Sequence, residues 1–324
     1  MRPWDECQRM PMKKQRNNVD FPYAIRSFVG YLEGTHKSIH TIKNYRLDIL
    51  AFQDFITREY TQSPIRLDEL SHKNIERYRE HLKERGLKVN TRRRKLLTVT
   101  QFLNYLSKRN KIGPEMAQKI ATPHKIERIP FTVSSQRLVE AIQKLPDGTL
   151  LESRNRVLLW ALAEMGCLVS EVVGLRFEQW SLPSCDSDAG IVQIRGKFQR
   201  EVPTSLPLYF AVEKLKLRSK DCPWIFLGFN RHGPLGSPIT VRGVEMLVQF
   251  YGPKLGFADL TPRTFRHSII LHWFEKGLTE LEIQARLGLK TTYAFRSYAP
   301  LLKSKMETTS KLEKNSMEFL EPQE

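Results

Sequence analysis

The chain has 324 residues, 40% of them hydrophobic, and a formal net charge of +17. This composition allows more than one folded domain, and no apolar run approaches the roughly 20 residues of a membrane-spanning helix. The four cysteines are scattered, with no C-x-x-C pair, so neither a disulfide framework nor a zinc site is expected. A cationic surplus of this size is typical of proteins that bind a polyanion, most simply nucleic acid.

The N-terminal part of the chain predicts a basic arm followed by a helical bundle. Residues 1–19 are polar and basic, without the apolar segment of a signal peptide, which favours a cytoplasmic protein. Residues 20–120 show apolar positions at three- and four-residue steps, divided by short polar turns. This pattern predicts four amphipathic helices, the third opened by Ser71 and closed by Gly86. In the fourth helix the predicted buried residues are Leu96, Leu97, Phe102, Leu103 and Leu106.

A dense run of cations opens the fourth predicted helix. The stretch "KVNTRRRK" contains Lys88, Arg92, Arg93, Arg94 and Lys95. A helix start favours anions, so cations placed there do not stabilise the helix itself. The run therefore indicates contacts with a DNA backbone, the alternative being a solvated charged face.

The second half of the chain has a different texture. Residues 121–135 break all periodicity and contain prolines, which predicts an extended linker. Residues 136–303 predict a mostly helical domain, with one long buried helical region over 154–180 and a two-stranded hairpin in "AGIVQIRGKFQREVPTS". Residues 304–324 form a tail that ends in a small apolar group.

Three segments occur in an order that is specific. They are "MGCLVSEVVGLRF", "RGKFQREVP" and a C-terminal stretch that contains "RTFRHS" and "EIQARLGL", with Tyr298 nine residues after Leu289. This order resembles the tyrosine recombinase family, which is phage-integrase-like and includes the Xer-type site-specific recombinases. The corresponding patterns there are T-G-L-R-x-S-E-L-x-G-L-R, G-K-…-R-x-V-P, H-x-x-R-H-T, and L-G-H followed by a tyrosine. The resemblance covers about residues 20–300. It implies a mostly α protein, with an N-terminal helical bundle (a core-binding, SAM-like domain) and an α-rich C-terminal catalytic-type domain that holds a small antiparallel β-sheet.

The chemistry of that family explains the residue types. A tyrosine oxygen attacks a DNA phosphate and forms a 3′-phosphotyrosyl bond, which a 5′-hydroxyl later reverses, so the resemblance implies no metal and no other cofactor. A phenol with a pKa of about 10 is a weak nucleophile at neutral pH. Two arginines bind the phosphate oxygens, a hairpin lysine protonates the leaving oxygen, and histidines assist proton transfer.

The resemblance assigns the intact roles to a small set of residues. Tyr298 holds the nucleophile position, with Tyr293 as a less well-registered alternative. Arg266 is the second arginine. Lys197 is the hairpin lysine, with Arg200 next in line because the hairpin is about two residues shorter than the family pattern.

Other positions depart from the family pattern. Leu168 replaces the first arginine and Leu289 replaces the second histidine. Arg263 replaces the first histidine and, with a pKa above about 12, is a poor proton shuttle. The acid next to the first arginine is present as Glu171.

Each assignment has a simpler alternative. Tyr298 without its partners is an ordinary packing residue, and Arg266 is either a phosphate contact or the partner of Glu171 in a structural salt bridge. His267 and His272 are expected to be structural.

Two main functions follow, and a third is weaker. One is a DNA-binding protein of this family whose catalysis is impaired or absent, a pseudoenzyme. The other is an active recombinase, and a type IB topoisomerase is weaker because it also needs the missing arginine. Both place the two domains on opposite faces of a DNA duplex, with self-association or a heteromeric recombinase partner. The tail around Met317, Phe319 and Leu320 is expected to dock on another protomer.

Overall fold

The computed structural model describes residues 20–59, 67, 70–117, 120–184, 188–195, 198–219 and 222–304. These residues belong to two compact units, which divide between residues 127 and 128. The predicted basic arm of residues 1–19, the tail from residue 305 and Lys197 lie outside the described residues. In the described part of the chain, no helix is both long and apolar enough to cross a membrane.

The first unit is helical, as predicted. Its elements are α1 (Phe21–Gly34), α2 (Ile39–Glu59), α3 (His72–Glu84), α4 (Val89–Lys108) and a 3₁₀ helix (Pro114–Ala117). Helix α1 begins after Asp20, whose carboxylate accepts the Tyr23 N–H at 2.7 Å. Helix α3 begins after Ser71, as predicted, and Gly86 follows its end at a φ of 66°. That left-handed backbone favours glycine, which is why the chain turns there.

Aromatic rings form much of the core of the first unit. The rings of Phe28 and Phe102 meet edge to face at 5.3 Å, and Phe52 meets Tyr78 in the same way at 5.0 Å. The predicted burial of Leu97 is wrong, because its side chain is exposed on the outer face of α4. The buried apolar face of α4 includes Leu96, Val99, Phe102, Leu103 and Leu106, and Leu97 is rotated by about 100° from Leu96 toward solvent.

The second unit packs helices around a small sheet. Its helices are α5 (Ser135–Gln143), α6 (Leu150–Met165), α7 (Val169–Val172), α8 (Leu206–Arg218), α9 (Val241–Tyr251), α10 (Pro262–Glu275) and α11 (Glu280–Leu287), with 3₁₀ helices at Phe177–Gln179, Pro253–Leu255 and Thr292–Tyr298. Its strands are β1 (Trp180–Ser181), β2 (Ala189–Ile194), β3 (Arg200–Ser205), β4 (Leu227–Asn230) and β5 (Gly233–Pro238).

The strands are antiparallel throughout. They form one sheet in the order β1-β2-β3 and a separate hairpin of β4 and β5. The predicted hairpin is confirmed as β2 and β3, with Val192 opposite Val202. Both of these valines are buried against the helices, so this face of the sheet belongs to the core. Helix α5, strand β1 and the β4–β5 hairpin were not predicted from the sequence.

The predicted long helical region over 154–180 is interrupted. Helix α6 ends at Met165, and Gly166 takes a left-handed backbone with a φ of 60°. A Cβ atom at Gly166 would lie 2.9 Å from the Trp273 ring, so glycine is required by space as well as by conformation. The chain then enters the short helix α7, which brings Leu168 to the surface.

Candidate active site

The positions that carry the family resemblance lie in the second unit, at or near the ends of three elements. Leu168 precedes α7 and Glu171 lies within it, Arg263 and Arg266 lie in the first turns of α10, and Tyr298 ends the last 3₁₀ helix. Helix α10 starts at Pro262 because the side chains of Thr261 and Thr264 form a reciprocal cap. The local sequence therefore fixes the start of α10, and with it the positions of Arg263 and Arg266 on the helix.

A groove of about 650 Å³ opens at this place. Leu168, Arg263 and Arg266 line it, together with Asp259 and Glu245. The Leu168 side chain is 49% exposed and offers no hydrogen-bond donor to a bound anion. Arg263 is exposed at the groove, so two guanidinium groups line it and the position of the first arginine supplies none.

The Arg266 guanidinium is already bonded to the backbone. It donates to the carbonyl oxygen of Gly166 and, at 3.5 Å, to that of Leu287. Burial lowers the pKa of Arg266, but an arginine side chain stays charged at neutral pH. Arg266 therefore links the end of α6 to the end of α11 while part of its surface faces the groove.

Glu171 pairs with Arg200 and not with Arg266. The Arg200 guanidinium donates to both carboxylate oxygens of Glu171, at 2.8 and 2.9 Å. Its Nε donates to the Arg286 carbonyl at 2.7 Å, and its side chain is only 7% exposed. Burial acts to raise the pKa of Glu171, but hydrogen bonds from Arg200 and from the Leu168 N–H outweigh it and hold the pKa below its usual range.

The ion pair places Arg200 inside the protein. The sequence also offered Arg200 as a DNA-binding cation of the hairpin, but in this structure its donors are used by Glu171 and the Arg286 carbonyl. Glycine at position 288 leaves room for the Arg200 side chain, because a Cβ atom there would lie 2.9 Å from the Arg200 guanidinium. Cys167 lies 3.6 Å from Arg200, and burial raises the pKa of its thiol to about 12. Cys167 is thus an inert core residue at neutral pH.

Tyr298 is buried in an aromatic cluster. Its ring packs against Phe274 and Phe295, and its hydroxyl shares a hydrogen bond with Nδ1 of His267. Burial raises the pKa of Tyr298. Burial, followed by the charges of Arg263 and Arg266, lowers the pKa of His267, so the imidazole is neutral at neutral pH. A neutral imidazole has a free lone pair for a proton, but the lowered pKa of His267 and the raised pKa of Tyr298 both oppose transfer from the phenol in this arrangement.

Sequence reasoning expected His267 to be structural and missed this contact. The two residues are 31 positions apart, and no spacing rule for a helix or strand joins them. Leu289 packs at the edge of the same cluster and brings no polar atom to it. Tyr293, the alternative nucleophile, is exposed and lies under the Arg296 guanidinium at 4.8 Å.

The basic run of the first unit is engaged in several internal contacts. Lys88 is exposed at the start of α4, and Arg93 donates to the carbonyl of Pro123 at 2.7 Å. Arg94 and Lys95 both pair with the buried carboxylate of Asp48. The remaining member of the run, Arg92, is half-buried. The structure thus brings the five predicted cations to one end of α4, but two of them share an internal counter-charge.

Similarity to known proteins agrees with this architecture. A family model described as the phage integrase N-terminal SAM-like domain matches residues 25–110. The tyrosine recombinase XerC of Chlamydia caviae is 26% identical over 316 residues, which cover 89% of this chain and 98% of that protein. XerC of Herpetosiphon aurantiacus is 28% identical and covers 77% of this chain and 80% of its own length.

Solved structures share the fold. XerH bound to a palindromic difH substrate superposes with a TM-score of 0.67 at 18% identity, covering 86% of this chain and 81% of that one. A λ integrase dimer bound to a COC′ core site gives 0.62 at 15% identity, covering 87% and 78%. The fold combines a SAM-like helical domain with a recombinase-like C-terminal domain. The matches to XerC over most of the chain, together with this fold, support membership of the tyrosine recombinase family.

Proposed function

We propose that this chain binds double-stranded DNA in a recombination or integration reaction, and that its own strand cleavage is absent or severely impaired. Support for DNA binding comes from the net charge of +17 and the basic run of α4. The structural relatives XerH and λ integrase are described as bound to their DNA sites. In this proposal the reaction uses the protein and the DNA alone, without a metal or another cofactor.

The observation that carries the impaired function is Leu168 in the groove. A phosphate under attack develops charge that fixed donors must stabilise, and the loss of one such donor typically costs about 10²- to 10³-fold in rate. Leucine also adds apolar surface where an anion would bind, without compensating its charge. Asp259 and Glu245 at the same groove add negative charge, which disfavours a phosphate further.

The other arginines supply only part of the missing charge. Arg200 is committed to Glu171, and Arg266 is bonded to two backbone carbonyls. Arg263 is exposed and stands in a first-turn position of α10. Its charge favours phosphate binding, but it provides no proton transfer at neutral pH because of its high pKa.

A second candidate function, an active recombinase, is favoured by one specific contact. The hydrogen bond between His267 and the hydroxyl of Tyr298 pairs a potential nucleophile with a neutral imidazole. Activation by an adjacent base is the usual way to make a weak oxygen nucleophile react. In this alternative, Tyr298 would leave its aromatic cluster when DNA binds and use His267 as the acceptor of its proton.

A covalent-trapping experiment separates the two functions. Target DNA is recovered by genomic pull-down and converted to nicked suicide substrates, and covalent protein–DNA bands are scored on denaturing gels. We expect no band, or a faint one, from the natural sequence. A band that appears with Leu168→Arg and Leu289→His, and disappears on adding Tyr298→Phe, supports an impaired scaffold that can be re-armed. A strong band from the natural sequence that Tyr298→Phe abolishes supports the active recombinase.

DNA binding itself has a separate test. Phosphate contacts release counterions, so the logarithm of the binding constant should fall linearly with the logarithm of salt concentration, by about 0.9 per phosphate contact. Titration of a fluorescent duplex at several salt concentrations measures this slope. An absence of binding at low salt, or binding that does not depend on salt, would refute the proposed function.

A further inference from the structure

A buried carboxylate lies directly against the basic run of α4. Asp48, on α2, is only 2% exposed. Its Oδ1 accepts from the Lys95 ammonium at 3.1 Å, its Oδ2 accepts from the Thr98 hydroxyl at 3.3 Å, and it also pairs with the Arg94 guanidinium. Asp48 is thus the common partner of two cations that the sequence places in the DNA-binding run.

The two cations differ in how much they can leave this carboxylate. The Lys95 side chain is 18% exposed, whereas that of Arg94 is 46% exposed. Moving Lys95 to a DNA phosphate would deprive a buried carboxylate of its ammonium partner, and an incompletely paired buried charge is strongly unfavourable. Arg94 has a broad guanidinium fork, so it can keep one edge on Asp48 while another edge faces solvent.

We propose that Asp48 withholds Lys95 from DNA, so that this lysine acts as an internal counter-ion and makes no phosphate contact. The proposal rests on the DNA binding proposed above. It divides the basic run into two classes: Lys95 neutralises Asp48, while exposed cations such as Lys88 and Arg94 are available to phosphates. The composition of the run thus overstates its contribution to DNA affinity by one charge.

The test is the salt dependence of duplex binding by the full chain. Asp48→Asn removes the internal anion while it keeps the size and the acceptor oxygen of the side chain. It frees Lys95 to reach a phosphate, so the slope should become steeper by about 0.9. The matched control is Asp54→Asn, which changes the net charge equally on the same helix, at an exposed aspartate paired with Arg58 at 3.0 Å. The control should change the slope by much less.

Circular dichroism shows whether Asp48→Asn keeps its fold. A second variant keeps the proposal testable if it does not. The double variant Asp48→Asn with Lys95→Met removes both members of the internal pair, an exchange that buried pairs often tolerate. The proposal expects its salt slope to equal that of the natural sequence. A slope shallower by about 0.9 in the double variant would show that Lys95 contacts DNA and would overturn the proposal. An unchanged or shallower slope in folded Asp48→Asn would overturn it as well. If the natural sequence does not bind DNA at all, the proposed function fails and this inference fails with it.

Discussion

Replacing Arg200 by methionine should destabilise the second unit strongly. Removal of one partner from a buried ion pair typically costs about 3–5 kcal/mol, because the other charge is left without compensation. Here the side chain of Glu171 is 21% exposed and keeps its hydrogen bond from the Leu168 N–H at 2.7 Å. The Arg286 carbonyl also loses its donor at 2.7 Å. The exposure and remaining hydrogen bond of Glu171 reduce the cost, and the lost donor of the carbonyl adds to it, so we expect a loss of about 3 kcal/mol of unfolding free energy.

Urea unfolding followed by tryptophan fluorescence measures this loss. Four of the five tryptophans of the chain lie in the second unit, so most of the signal reports on the unit that is changed. The matched control is Arg195→Met, which breaks an exposed pair with Glu178 at 3.0 Å, both side chains being 58% exposed, and should cost at most about 1 kcal/mol. The double variant of Arg200 and Glu171 to methionine should lose less than the sum of the two single variants. A loss below about 1 kcal/mol for Arg200→Met would refute the buried-pair interpretation.

Two further predictions concern assembly and pH. Deletion of the residues after Lys311 should weaken cooperative binding of a second protomer to DNA while it leaves the first binding event unchanged, and unchanged cooperativity in a gel-shift titration would contradict it. Because burial, with Arg263 and Arg266 nearby, lowers the pKa of His267, the unfolded chain binds more protons below about pH 6.5 than the folded chain does. Stability of the second unit should therefore decrease as pH falls through that value, and His267→Gln should reduce the decrease in urea titrations at pH 7.5 and 5.5; an equal decrease in both proteins would contradict the assignment.

The sequence predicts the helical framework well, because local signals agree with the tertiary structure. Ser71, Gly86 and the three- and four-residue apolar steps act over short distances, and the helices of the first unit follow them. Leu97 shows the limit of this prediction, because it is apolar like its buried neighbour Leu96 but points toward solvent from the next position around the helix. The interruption at Gly166 was missed because the apolar pattern continues through it, and the contact with the distant Trp273 ring that requires glycine there has no local signal.

The site was less predictable, because its contacts join residues far apart in the chain. The family resemblance identifies positions such as Arg266 and Tyr298, but it does not say which atoms they touch. The pairing of Glu171 with Arg200 and the bond between His267 and Tyr298 are tertiary contacts without a local pattern. The charge of the basic run was visible in the sequence, whereas its internal counter-charge was not.

The bonds of Arg200 and Arg266 to the last carbonyls of α11 have a consequence for how such proteins change over time. Those carbonyls lack partners within the helix, and the two guanidinium groups satisfy them at Arg286 and Leu287. Selection for folding alone would then preserve both arginines after a loss of DNA cleavage. The presence of Arg266 in a relative would therefore not show that the relative still cleaves DNA. Position 168 is half-exposed, so a change of its side chain should cost the fold less, and it is the more informative position to compare.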